Sequence, residues 1–418
     1  MVFFRVTENI NIKTTDGSLV KYTKLRNPAN LLNNSIYVST YEEVERLNSV
    51  FEKVGPTFKS KVILEKRIAA NKTFPTELGI SNKYEYKTLK SFESKIQEND
   101  FVEFNFKDEI QSLFLNEEEA NIDEQLKECE KEDIKIAIIG NVGESIGEIF
   151  SGLTSVRILK SYLLRQFKNV QLDLYLEAAE NKFYSRDKEI LETQDYIDNI
   201  KPLALDVRTL CEYDFYIDNS LVKQRSYYKQ LPYVDAYLYK FGIDYNKIAS
   251  SSKNNHLNSA SLNVNSVLKE KLEKIKSSKN KLLFFHPFTA KIDCSIPKEI
   301  AYDFLKKLIK KYDDYTVVTA IKMDDFKEEG YINLGADSKT ISDFIYIVSK
   351  MDKIITADTS TEPKNKIKYF SQTKAVQIED KSLNLSKFKF DDDSLVLYKF
   401  DSWNSLKVSK VIKLLETI

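Results

Sequence analysis

Two carboxylates stand in a glycine-rich stretch of this chain, in the run Gly140-Asn-Val-Gly-Glu-Ser-Ile-Gly-Glu148. Gly143 and Gly147 let a backbone turn sharply and approach a ligand closely. Glu144 and Glu148 follow them where a helix is expected to begin. A carboxylate there is favoured by the helix dipole and is able to take a proton from an attacking hydroxyl. The plainer alternative is a capping acid that only stabilises the first turn, in a tight turn that uses glycine for geometry.

Two further stretches carry groups suited to an anion. His286-Pro-Phe-Thr-Ala-Lys291 offers the Thr289 hydroxyl and the Lys291 ammonium to phosphate oxygens. Thr356-Ala-Asp-Thr-Ser-Thr361 clusters Asp358, Thr359, Ser360 and Thr361, a composition suited to a nest for a diphosphate and equally to a helix N-cap. His286, directly after an apolar run, reads as a structural histidine rather than a catalytic one.

The elements that must position these residues follow from the pattern around them. Lys135–Ile139 is an apolar run suited to a strand covered on both faces. From Ile149 the period turns helical, with Ile149, Leu153, Val156 and Leu159 on one stripe. Val170–Leu176, Leu203–Val207 and Tyr213–Ile217 continue as strands of a βα series. A second series starts at Lys281, with strands at Leu282–Phe285, Tyr315–Thr319, Ile332–Leu334, Lys353–Thr356 and Lys374–Ile378. Its helices are Ile300–Lys311 and Thr340–Met351, and Ser405–Leu415 closes the chain. All three motifs then fall at carboxyl ends of strands, where open α/β sheets bind ligands. Upstream, Met1–Thr7 and Ser18–Thr23 flank a Thr-Thr-Asp-Gly turn and are expected to pair as a hairpin. The acidic stretch 107–132 reads as a linker or exposed helix.

The chain has 418 residues, enough for two or three domains. The boundaries expected are 1–125 for an accessory α+β domain, 133–270 for the first α/β domain and 280–418 for the second. Lys plus Arg and Asp plus Glu both number 63, so net charge gives no reason to expect nucleic acid as a partner. No apolar run approaches the roughly 18 residues of a membrane-spanning helix. The first residues lack the pattern of a secretory signal. Cys129, Cys211 and Cys294 are scattered without metal-ligand spacing, which suits reduced thiols in a cytoplasmic protein.

Taken in order, these segments resemble the heptosyltransferase-like glycosyltransferases of family nine, which have the GT-B fold. The run Gly147-Glu-Ile-Phe-Ser-Gly-Leu-Thr-Ser-Val-Arg-Ile-Leu159 resembles that family's first helix, with Val156, Arg157 and Leu159 in the matching places and Glu148 at the position of its catalytic Asp. Glu144 offers a competing register. Thr289 and Lys291 match a donor-binding Thr/Ser and Lys. Residues 333–344 resemble a short strand, a glycine and a helix. Met351-Asp-Lys-Ile-Ile-Thr-Ala-Asp-Thr-Ser360 resembles the family's strand ending in Asp-Thr/Ser-Gly. The resemblance covers residues 134–380. It departs at Ser360, where the family has glycine, and at Pro363, where it has histidine.

The resemblance implies two Rossmann-like domains facing a cleft, preceded here by the accessory domain. It implies sugar transfer from a nucleotide-diphosphate sugar to a hydroxyl acceptor (a glycan, lipid-linked or protein), inverting, with neither metal nor cofactor. Glu148 would be the base, with Glu144 as the alternative. Thr289, Lys291 and Asp358–Thr361 would hold the donor. A second reading, raised by Ser360 and Pro363, is a catalytically silent GT-B subunit that binds or assembles. A third, a nicotinamide-dependent oxidoreductase, is disfavoured because the turn is not Gly-x-Gly-x-x-Gly.

Overall fold

Asp133–Ile139 and Asn169–Leu176 begin with alternating polar and apolar residues, yet both end in fully buried runs, Ile136–Ile139 and Leu172–Leu176. Such strands need partners on both edges and cover on both faces. In the computed structural model they pair in parallel at the centre of a sheet. The structure describes residues 1–24, 36–47, 62–65, 75–79, 101–103, 121–253, 262–278, 281–288, 295–357, 374–380, 395–400 and 406–417. Within these spans it leaves out residues 7, 41, 45, 221, 226, 229–230, 322 and 324–325.

The described chain divides into two units, residues 1–144 with 155–249 and residues 145–154 with 250–418. The strands of the first are β1 (Val2–Val6), β2 (Ile10–Lys13), β3 (Leu19–Tyr22), β4 (Tyr37–Ser39), β5 (Val62–Glu65), β6 (Thr76–Glu77), β7 (Phe101–Glu103), β8 (Asp133–Ile139), β9 (Asn169–Leu176), β10 (Asn199–Pro202), β11 (Leu205–Asp206) and β12 (Phe215–Asp218). Two five-stranded sheets result. The parallel one runs β10-β9-β8-β12-β6, and the antiparallel one runs β11-β4-β1-β5-β7. The pair β2 and β3 forms a separate hairpin.

Three sequence expectations change here. The hairpin around the Thr-Thr-Asp-Gly turn is Ile10–Lys13 with Leu19–Tyr22, while Val2–Val6 pairs with β4 and β5. Leu203–Val207 is no strand of the parallel sheet. Asn199–Pro202 takes that place, and Leu205–Asp206 turns away to pair antiparallel with β4. The two-residue strand Thr76–Glu77 adds to β12. Residues 1–125, read as an accessory domain, therefore exchange strands with the first βα series and share one unit with it.

The apolar cost of separating these sheets is large. Met1, Phe3, Ile36 and Val38 from the N-terminal segment share a core with Ala137, Ile139, Tyr175, Leu205 and Tyr216. Each of the larger aliphatic and phenylalanine side chains contributes about 1.5–3 kcal/mol on burial.

The strands of the second unit are β13 (Lys281–His286), β14 (Tyr315–Thr319), β15 (Tyr331–Asn333), β16 (Lys353–Ala357), β17 (Lys374–Asp380) and β18 (Leu395–Phe400). All are parallel, in the order β15-β14-β13-β16-β17-β18. The sixth strand, β18, lies beyond the last one expected from sequence. Helix Lys298–Lys311 starts after Pro297 and buries Ala301, Phe304, Leu305 and Leu308, one stripe of a 3.6-residue period. These residues share a core with Val408, Val411 and Leu415 of the C-terminal helix Val408–Thr417. The α/β class expected from alternating strands and helices is the class observed. Among the described residues no helix is long and apolar enough to cross a membrane.

Candidate active site

Strand β8 ends at Ile139, level with Tyr175 of β9 and Asp218 of β12. Gly140 follows with φ +96°, and its N–H donates to the Tyr175 carbonyl at 2.9 Å. A Cβ on Gly140 would lie 2.8 Å from Thr40 Cγ2, so the position needs glycine for both conformation and space. Gly143 is buried at φ +152°, and the helix Ile146–Leu163 begins three residues later. Its stripe Ile149, Leu153, Val156 and Leu159 is buried as the period required.

The two carboxylates of this turn have different surroundings. Glu148 is half-buried, and its Oε2 accepts from the Ser145 N–H at 3.2 Å. The Glu148 N–H donates to Ser145 Oγ at 3.3 Å. This reciprocal pair is a capping box at the helix N-terminus. Gly147 is buried one residue before it. Glu144 is exposed, and its carboxylate forms an ion pair with Lys223. Arg186 Nη2 donates to the Glu144 carbonyl at 2.9 Å.

Behind the turn lies a polar cluster that no sequence motif signals. Glu177 directly follows β9 and is buried. Its N–H donates to Asn141 Oδ1, and Asn141 Nδ2 donates back to Glu177 Oε2, both at 3.1 Å. Thr40 Oγ1 donates to Glu177 Oε1 at 2.8 Å, and Arg46 Nη1 donates to Glu177 Oε2 at 2.9 Å. Glu43, fully buried, accepts from the N–H of Ala178 at 3.1 Å and of Ala179 at 2.8 Å. Desolvation, then the neighbouring Glu177 charge, push the Glu43 carboxyl up to about 8. Burial also raises Glu177, opposed by Arg46 and Thr40. A period-based reading misses such groups, because Tyr-Glu-Glu-Val-Glu-Arg-Leu looks like a solvated helix.

At the end of β12, Asp218 is buried against the α-amino group of Met1. Burial would raise its carboxyl, but the ammonium and Lys240 hold it below its usual value. Lys240 in turn pairs with buried Glu77 of β6 at 3.3 Å.

In the second unit, β13 and β16 are adjacent, with His286 level with Thr356. The Ile296 N–H donates to the Pro287 carbonyl at 2.8 Å. His286 is buried between Phe284 and Phe344, with ring centroids 5.7 and 5.5 Å away. Its Nδ1 is buried and has no hydrogen-bond partner among the described residues. Burial pulls its pKa down to about 4. Gly335 ends the segment after β15, where a Cβ would meet the Ile321 carbonyl at 2.7 Å. Thr340 and Asp343 then form the capping box of helix Ile341–Ser349. Thr289, Lys291, Asp358, Thr359, Ser360 and Thr361 lie outside the described residues, as do Cys294 and Pro363. The described site residues are thus Gly143, Glu144, Gly147 and Glu148, all in one βα turn.

No protein-family model matches the chain, and no curated sequence matches it. Among solved structures, it is similar to the ADP-heptose lipopolysaccharide heptosyltransferase II of E. coli, with 13% identity over 68% of this chain and 98% of that one, at a TM-score of 0.46. It is also similar to a family 9 glycosyltransferase of Veillonella parvula, with 10% identity over 68% and 96% at 0.46. A third likeness is to the UDP-GlcNAc 2-epimerase of Methanocaldococcus jannaschii, with 9% identity over 67% and 92% at 0.41.

Proposed function

We propose that this chain is a GT-B glycosyltransferase that moves a sugar from a nucleotide-diphosphate sugar to a hydroxyl acceptor. The observation that carries the reading is the βα turn after β8. It joins a central parallel strand to a buried helix through Gly140 and Gly143, and sets a carboxylate, Glu148, in the helix's first turn. The adjacent strands β13 and β16 lead at their carboxyl ends into the Thr289–Lys291 and Asp358–Thr361 segments, which supports a donor site there.

In this mechanism the acceptor oxygen attacks the anomeric carbon while Glu148 takes its proton. The bond from that carbon to the diphosphate oxygen breaks on the opposite face, so configuration inverts. Lys291, Thr289 and the 358–361 segment stabilise the charge that develops on the departing diphosphate. The step needs no metal and no cofactor, because these groups supply the countercharge. Donors and acceptors are metabolites and glycans of the cytoplasmic side, with a glycan, lipid-linked or protein hydroxyl as acceptor.

The silent-subunit reading has its own support: Glu148 is engaged in a capping box, and Pro363 stands where the resembling family has histidine. Calorimetric titration with ADP, UDP, GDP and CDP, followed by product analysis with the matching nucleotide sugars, separates the two. Binding with turnover supports the enzyme, binding alone supports a silent nucleotide-binding subunit, and no binding of any of the four removes the enzyme and leaves only an assembly role.

A further inference from the structure

The N-terminal segment meets the first βα turn through one buried carboxylate. Glu177 accepts from Thr40 on Oε1, at 2.8 Å, and from Arg46 on Oε2, at 2.9 Å. Asn141, the second residue of the turn, donates to that same Oε2 and receives the Glu177 N–H, both at 3.1 Å. The anchor is fixed at its base. Thr40 Oγ1 accepts the Glu43 N–H at 3.1 Å, and the Glu43 carboxyl accepts the Ala178 and Ala179 N–H groups that follow Glu177. Thr40 also sets its methyl where a side chain on Gly140 would have to go.

We propose that Arg46 and Thr40, acting through Glu177, are positioning residues that hold the Gly140–Glu144 turn in its ligand-ready form. The role assigned to the turn rests on the glycosyltransferase reading above. The physical basis is the state of Glu177. Its side chain is 6% exposed, and Arg46 is its counter-charge. Without Arg46, a buried carboxylate takes up a proton rather than remain unpaired. With its proton on Oε2, the neutral acid is a donor there, so Asn141 Nδ2 loses its acceptor and only the Glu177 backbone N–H still holds Asn141. Arg46 is 32% exposed and belongs to neither β8 nor β9, so its removal acts on the turn rather than on the sheet core.

The test is hydrogen–deuterium exchange of the full chain, comparing wild type with Arg46→Ala and Arg46→Lys. Exchange in a peptide covering 138–148 should rise at least tenfold in Arg46→Ala. Peptides from β9 and β12 should stay within twofold. Arg46→Lys, which restores a positive charge beside Glu177, should return the turn to within threefold of wild type. An unchanged turn, or a rise spread equally over β9 and β12, overturns the proposal. Should Arg46→Ala fail to fold, Thr40→Val removes the Oε1 bond together with the Glu43 N–H bond to the same hydroxyl, and the turn should then exchange about threefold faster, with no change refuting the link. The readout needs no substrate, so a chain that binds none of the four nucleotides would refute the glycosyltransferase reading while the exchange data still decide the anchor.

Discussion

Asn141 and Glu177 hold each other by two hydrogen bonds of 3.1 Å, one in each direction, across the ends of adjacent parallel strands. The pair joins the glycine turn to the strand-end loop. Asn141→Asp puts a second carboxylate against buried Glu177 and should lower stability by about 2–4 kcal/mol, the scale of an uncompensated buried charge. Asn141→Ala only removes the bonds and should cost about 1–2 kcal/mol. Urea unfolding followed by circular dichroism measures both, and an Asp variant as stable as the Ala variant would contradict the buried-pair geometry.

Glu43 makes stability fall with rising pH. Its folded pKa of about 8 lies above its ordinary 4.5, so between these values the folded chain holds a proton that the unfolded chain has lost. Stability from this group is fully present below about 4.5 and is lost as pH rises through 8, with a slope of at most about 1.4 kcal/mol per pH unit. Glu43→Gln cannot titrate. Relative to wild type it should gain stability between pH 5 and pH 8 in paired urea titrations. A difference that stays flat across this range would mean Glu43 is ionised in the fold.

How far the sequence foretold these features depends on the range of the signal. The strands β8, β9, β13, β14 and β16 were legible because each is a short segment rich in apolar residues, and local composition suffices. Gly140 and Gly143 were legible as a turn for the same reason. The strand β6 was not, because two residues, Thr76 and Glu77, carry no period. Leu203–Val207 was misplaced because an apolar run shows that a segment is buried but not in which sheet. The Glu43–Glu177 cluster was illegible because its partners are 134 residues apart. A carboxylate's burial depends on that packing, not on its neighbours in the chain.

Gly140→Ala should destabilise the first unit by roughly 1–3 kcal/mol, because φ is +96° and the new methyl meets Thr40 Cγ2 at 2.8 Å. Thr40→Ser removes that methyl and keeps the hydroxyl that bonds Glu177. In the double variant the steric part should be recovered, giving a favourable coupling of roughly 0.5 kcal/mol or more. Strict additivity of the two changes in thermal melts would show that backbone strain alone sets the cost.

The proposed donor segments belong to the second unit. Lys291→Ala should weaken the binding of whichever nucleoside diphosphate titrates, by roughly 1.5–3 kcal/mol, the range for a hydrogen bond to a charged group. Calorimetry with unchanged affinity would count decisively against Lys291 as a phosphate ligand, and so would a nucleotide found only at the Gly140–Gly147 turn.

The last prediction separates the two carboxylates of that turn. Glu148 accepts the Ser145 N–H, a bond that the amide oxygen of glutamine makes equally well in a capping box. Glu148→Gln should therefore fold normally and keep its donor affinity, while turnover falls by about 10²–10⁴, the contribution of a positioned general base. Glu148→Ala loses the cap as well and should cost about 1 kcal/mol of stability, which marks the structural share of the side chain. Glu144 is exposed and paired with Lys223, so Glu144→Gln should change turnover only slightly. The reverse ranking would move the base to Glu144, the competing register of the resemblance. If an active preparation is indifferent to both changes, the proton goes to neither carboxylate, and Glu148 serves the helix alone.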